Sequence, residues 1–101
     1  MTLANVYELL LTTGLPVAYR QFQEPTSPPF LIYLCDGYNN FAADGKVYHS
    51  GTNIRIELYT NIKDSAKEAL VEAALADFFY TKSETYIDGE KLYEVIYEME
   101  V

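Results

Sequence analysis

Three groups of residues could in principle do chemistry. His49 stands beside Ser50, and Cys35 is the single cysteine, so a nucleophile with a histidine base can be drawn on paper. The hairpin register derived below puts Cys35 on a buried face, away from a solvent-facing His49–Ser50 pair. That leaves neither nucleophile with a shielded base. Asp36-Gly-Tyr-Asn-Asn has the outline of a calcium loop, but Tyr38 occupies a ligand position and the pattern fails. One histidine and one cysteine leave only carboxylates for a metal, and Glu94, Glu98 and Glu100 are the densest set. Strand alternation spaces those three along a solvated face instead of converging them. No glycine-rich phosphate loop occurs. The sequence therefore points to no enzyme, no cofactor and no metal site.

Charge limits the partners. The 101 residues hold 7 Lys and Arg against 15 Asp and Glu, a formal net charge of −8. Nucleic-acid and anionic-membrane binding rest on Lys and Arg, so both are disfavoured. Half of the residues are hydrophobic and ten are tyrosine, which favours a packed domain over a disordered tail. The length suits a single domain, residues 1–101. A lone Cys35 cannot form an internal disulfide and reads as a small buried hydrophobe. The first residues lack the basic and apolar regions of a signal peptide, and no run approaches a membrane span. A cytoplasm-like site of synthesis is expected.

The elements that must position these residues centre on Asn53–Tyr80. Ile54, Ile56 and Leu58 alternate with Asn53, Arg55, Glu57 and Tyr59, the period of a strand with one buried face. The period then becomes helical: Leu70, Val71, Ala74, Leu75 and Phe78 form a stripe, with Lys67, Glu68, Glu72 and Asp77 on the remaining arc. Ser65 with Glu68 has the form of a capping box, and Asn61 and Asp64 are rival caps. Upstream, residues 2–13 predict a short helix capped by Thr2 and stopped by Gly14, with Leu3, Val6, Tyr7, Leu10 and Leu11 inward. Val17, Tyr19 and Phe22 suggest a short edge strand. The prolines at 25, 28 and 29 then stiffen the approach to Phe30; a polyproline ligand is the alternative meaning of that loop.

Residues 36–51 would be long as one loop. A two-residue turn at Asp44-Gly45 instead closes Ala43 on Lys46. That register sets Leu31 opposite Leu58, Tyr33 opposite Ile56 and Cys35 opposite Ile54, all on one face. Gly37 and Gly51 mark places where it could slip. A second Asp-Gly, residues 88–89, predicts another hairpin, with Glu84 across from Tyr93 at a frayed end. Tyr93, Val95, Tyr97, Met99 and Val101 form its core face. The expected fold is α+β: an antiparallel sheet with two helices packed on one face, order α-β-β-β-α-β-β, and a long projecting hairpin. Tyr38, Phe41 and Tyr48 on that arm, with Asp44 and Lys46, are candidate subunit or partner contacts.

Spread along nearly the whole chain are Gly14-Leu-Pro-Val-Ala-Tyr19, Pro28-Pro-Phe-Leu-Ile-Tyr33, Ala43-Asp44 with Tyr48, Ile56-Glu-Leu-Tyr-Thr60, Lys63-Asp64, Lys82-Ser-Glu-Thr-Tyr86 and Tyr93-Glu-Val-Ile-Tyr97-Glu98. This pattern resembles the small head–tail connector, tail-completion and tail-terminator-like proteins of long-tailed phages and prophages of Gram-positive bacteria. The resemblance implies an α+β ring subunit, commonly in a hexamer, that contacts the tail-tube protein or the head connector. It implies a virion protein made in the bacterial host cytoplasm. It defines no functional residue one by one. DNA would pass through such a ring without specific binding, and Glu94, Glu98 and Glu100, or else the acidic face of the second helix, are the candidate acidic channel face. The competing reading is a small acidic protein-binding module, an adaptor or inhibitor of a host protein.

Overall fold

The structure is a computed structural model that describes the backbone of residues 1–43 and 46–101 and the side chains of residues 1–38 and 51–101. Its elements in chain order are α1 (Leu3–Leu11), β1 (Val17–Tyr19), β2 (Phe30–Ala43), β3 (Lys46–Thr60), α2 (Ser65–Ala74), β4 (Tyr80–Ile87) and β5 (Leu92–Glu100). The class is α+β. The five strands form one sheet in the order β1-β2-β3-β5-β4. The sheet is mixed and not purely antiparallel, because β1 runs parallel to β2 with Val17 against Leu31 and Tyr19 against Tyr33. A three-residue strand carries too little period to reveal its direction. The loop of residues 20–29 brings the chain back, so that β2 starts beside the start of β1.

Thr2 caps α1: its hydroxyl accepts from the Asn5 backbone N–H, and the Asn5 side chain accepts from Thr2 in return. Such a cap is worth about 1 kcal/mol. Gly14, at φ +79°, supplies the left-handed turn that ends the segment. Val6 and Leu10 are buried, whereas Tyr7 and Leu11 of the expected stripe are exposed. α2 is capped by Asp64, whose carboxylate accepts from the Lys67 backbone N–H. Its inward stripe runs through Glu68, Val71 and Leu75, and Leu70 lies outside.

Val6 and Leu10 of α1 and Val71 and Leu75 of α2 belong to one buried cluster with Leu31, Tyr33, Ile54, Ile56, Leu58, Val95, Tyr97 and Met99. Full burial of an aliphatic side chain of this size contributes about 1.5–3 kcal/mol. The sheet residues line up across strands: Leu31–Leu58–Val95, Tyr33–Ile56–Tyr97 and Cys35–Ile54–Met99. The β2–β3 pairs are those obtained by extending the register from Ala43–Lys46, although the Asp44-Gly45 turn itself lies outside the described residues. Two irregularities interrupt that register. Asp36 is extra on β2 between Cys35 and Gly37, and Tyr48 is extra on β3 opposite the Phe41–Ala42 step. Because they fall on opposite strands, they cancel.

The second hairpin departs from expectation by two residues. Ile87 pairs with Leu92, so Glu84 faces Val95 and Tyr86 faces Tyr93. Asp88-Gly89 belongs to a four-residue turn in which Lys91 takes φ +55° and donates its backbone N–H to the Asp88 carbonyl. A shift of two preserves the face of every side chain, which is why the core pattern survived the wrong register. Glu84 does not sit at a frayed end, since β4 continues to Ile87.

Candidate functional site

β5 accompanies β3 only from Asn53 to Thr60, with the Thr52 and Val101 backbones adding one further bonded pair. β1 accompanies β2 only from Leu31 to Tyr33. Past those limits β2 and β3 pair with each other alone, back to Ala43–Lys46. This two-stranded arm stretches the molecule to 50 × 27 × 25 Å. Gly51 lies at its root, where a Cβ would stand 2.5 Å from the Glu100 side chain, so a glycine lets the end of β5 close on β3.

Of the expected arm contacts, Tyr38 is described fully: it is 74 % exposed, opposite Thr52. The Cys35 thiol beside it pushes its pKa up. Phe41, Lys46 and Tyr48 lie on the strand backbones, but their side chains, and all of Asp44, fall outside the described residues. Cys35 is half-buried and not enclosed; its backbone N–H donates to the Tyr19 hydroxyl, and its Sγ lies 3.7 Å from the Gly37 carbonyl. The His49 side chain is among those not described.

Glu94, Glu98 and Glu100 do share the sheet face opposite the buried cluster, at register positions across from Tyr59, Arg55 and Asn53. Glu98 and Glu100 are exposed. Glu94 is only 7 % exposed, which departs from the expected solvated row. Its carboxylate accepts from the Tyr59 hydroxyl at 2.8 Å. The same hydroxyl lies 3.0 Å from Glu57, which also accepts from Arg55 Nε at 2.8 Å. Burial pushes the Tyr59 phenol's pKa up, and both carboxylates add to it. Burial works against the charge on Arg55, but Glu57, with Glu94 and Glu98 further off, outweighs it and raises its pKa.

On the helix side the structure assembles a cluster that the helical periodicity did not reveal. Glu68, 4 % exposed, receives Lys63 and Lys82, each at 2.8 Å. Lys82 also reaches Glu72 at 2.8 Å, and the buried Tyr97 hydroxyl donates to Glu72 at 2.9 Å. Lys63 continues to Glu84 at 2.9 Å, and the Tyr93 hydroxyl donates to Glu84 too. Burial tends to raise the pKa of Glu68, but hydrogen bonds from both lysines outweigh it and hold the carboxyl below the usual range. Lys82 lowers that of Glu72 against a smaller opposing effect of burial. The signal available in the sequence was the pair Lys63 and Lys82, two of only seven basic residues, flanking a helix rich in Glu.

The loop of residues 20–26 folds over the outer sheet face and encloses an open cleft of about 580 Å³ with Phe30, Ile32, Tyr59 and Leu92 on its floor. Phe22 meets Phe30 edge-on at 5.2 Å, and Phe30 lies against Tyr59 at 5.1 Å. Among the described residues no group of three or more His, Cys, Asp or Glu is placed to hold a metal ion. No helix there is long and apolar enough to cross a membrane. The arrangement offers strand edges, an exposed aromatic and carboxylates, the means of recognition. Comparison with known proteins matches the chain to no family model and to no curated protein.

Proposed function

We propose that this chain is a structural virion protein, a ring-forming subunit at the head–tail junction or the tail end of a long-tailed phage or prophage, working without catalysis. The observation that carries the reading is the arm: β2 and β3 run past every other strand and hold Tyr38 out from the core. A closed ring needs two different complementary surfaces on each subunit, and an arm reaching onto its neighbour supplies one of them. The arm, and the part of the outer sheet face that the loop of residues 20–26 leaves open, are the surfaces for neighbouring subunits, the tail-tube protein or the head connector. The spread of matching aliphatic and aromatic positions adds its resemblance to head–tail proteins. The net charge of −8 suits a channel that DNA crosses without sticking. Glu98 and Glu100 are exposed on that face, and Glu94 is buried.

Native mass spectrometry of the full chain at rising concentration, with negative-stain imaging, tests the reading. A closed ring of about six copies, and its capture at the ends of purified tail tubes, is the expected result. A monomer that binds neither itself nor tubes would favour the small acidic adaptor instead.

A further inference from the structure

The sheet ends at β4 on one side, and among the described residues no further strand pairs with that edge. Natural edge strands are blunted by charge, proline or shortness. β4 runs for eight residues and contains no proline. Its two charged residues are turned away: Lys82 binds Glu68 and Glu72 of α2, and Glu84 binds Lys63. On the other face it presents Thr81, Ser83 and Thr85, all exposed, and Phe79 just before it is 91 % exposed.

The opposite margin of the sheet has a matching gap. β1 leaves β2 at Tyr33, and beyond it the Arg20 and Tyr19 side chains reach the Cys35 backbone. From residue 36 to Ala43, also eight residues, no strand flanks the outer edge of β2 among the described residues. Asp36 is the one charged residue in that span, and β4 holds one Lys and one Glu. In a chain of net charge −8, both edges are close to neutral, so two copies can approach there without strong repulsion.

We propose that β4 of one copy pairs with the arm segment 36–43 of β2 in the next copy, so that the sheet continues from subunit to subunit. The two edges lie on opposite sides of one sheet and differ from each other. The joint is therefore heterologous, and repeating it gives a ring or a filament and not a two-fold dimer. Backbone hydrogen bonds would supply the attraction, and Phe79 would add apolar contact at one end. The inference rests on the ring-forming reading in taking a second copy of the chain as the partner, and its test separates the two.

Hydrogen exchange of the full chain from about 1 µM to about 1 mM, followed beside sedimentation, is the measurement. Amides of residues 80–87 and 36–43 are expected to gain protection together as larger particles form. The double substitution Thr81→Asp with Thr85→Asp places charge on the exposed face of the edge strand. Because these positions face Glu98 and Glu94, the melt of the monomer should fall modestly, and well below that melt association should weaken about tenfold or more. Assembly that protects other segments, or that the double variant does not weaken, overturns this joint and leaves the ring reading standing. A monomer at every concentration overturns this joint, and it overturns the ring reading as well when purified tail tubes capture none of it.

Discussion

The two faces of the sheet bury carboxylates in opposite ways. Beneath α2, Glu68 is held by two ammonium groups, and Lys82 is shared with Glu72. On the outer face Glu57 has Arg55, whereas Glu94 is met by the phenol of Tyr59. A hydroxyl has one proton to donate. Since Arg55 already serves Glu57, that proton goes to Glu94, at the shorter distance of 2.8 Å. In one network every carboxylate has an ammonium partner; in the other Glu94 receives a phenol while the guanidinium serves Glu57. Buried carboxylates thus occur on both faces, and those under α2 also hold that helix to β4. The outer face carries Glu57, Glu94, Glu98 and Glu100 around Arg55, and it is the face that the ring reading gives to neighbours and channel.

The sharpest way to break that contrast is Lys82→Met. Removing one partner of a buried ion pair costs about 3–5 kcal/mol. Lys82 is 36 % exposed and Lys63 remains on Glu68, so a loss of about 2 kcal/mol in urea unfolding is expected after allowing for solvent screening. A loss below about 0.5 kcal/mol would mean that the lysine is merely a surface charge.

Tyr59→Phe probes the outer network and should cost less, about 1–2 kcal/mol, because it removes one hydrogen bond and no charge. Phe keeps the ring against Phe30, so the aromatic contact survives and the lost hydroxyl alone is read. If urea unfolding gave a larger loss than for Lys82→Met, the ranking of the two faces would be reversed.

How far the sequence reveals these features depends on what sets them. The long hairpin is legible because Asp-Gly, alternation and register agree over many residues, and the two irregularities at Asp36 and Tyr48 cancel. The second Asp-Gly misleads, since a four-residue turn with Lys91 in the left-handed region also fits it. β1 is too short to declare its direction. Glu68 defeats the helical pattern altogether. An amphipathic plot assigns glutamate to water, and only the lysines brought from Lys63 and β4 make its inward position tolerable. Glu94 is hidden for the same reason, because its partner, Tyr59, lies on another strand. Polar pairings across elements carry no period, so the sequence cannot announce them.

The smallest expected effect separates the two networks by pH. Glu68 and Glu72 have pKa values below those of the unfolded chain, about 4.3. Their contribution is fully present above that value and is lost as pH falls through the lower, folded pKa values. Glu72 is a third exposed, which mutes its share. Lys82→Met should therefore flatten the acid limb of the stability profile, and Tyr59→Phe should leave it in place. The alkaline limb reverses the roles in part. The pKa of Tyr59 is raised, so its contribution holds below the unfolded value of about 10 and is lost as pH climbs towards the folded one. Ionising it would set a phenolate beside Glu57 and Glu94 with one guanidinium near. Tyr59→Phe should thus lose less stability than the parent between about pH 9 and pH 11. Urea midpoints for the three proteins across both ranges decide the matter. If the acid limb were unchanged in Lys82→Met, the helix-side cluster would not be the seat of acid sensitivity, and the contrast between the two faces would lose its electrostatic basis.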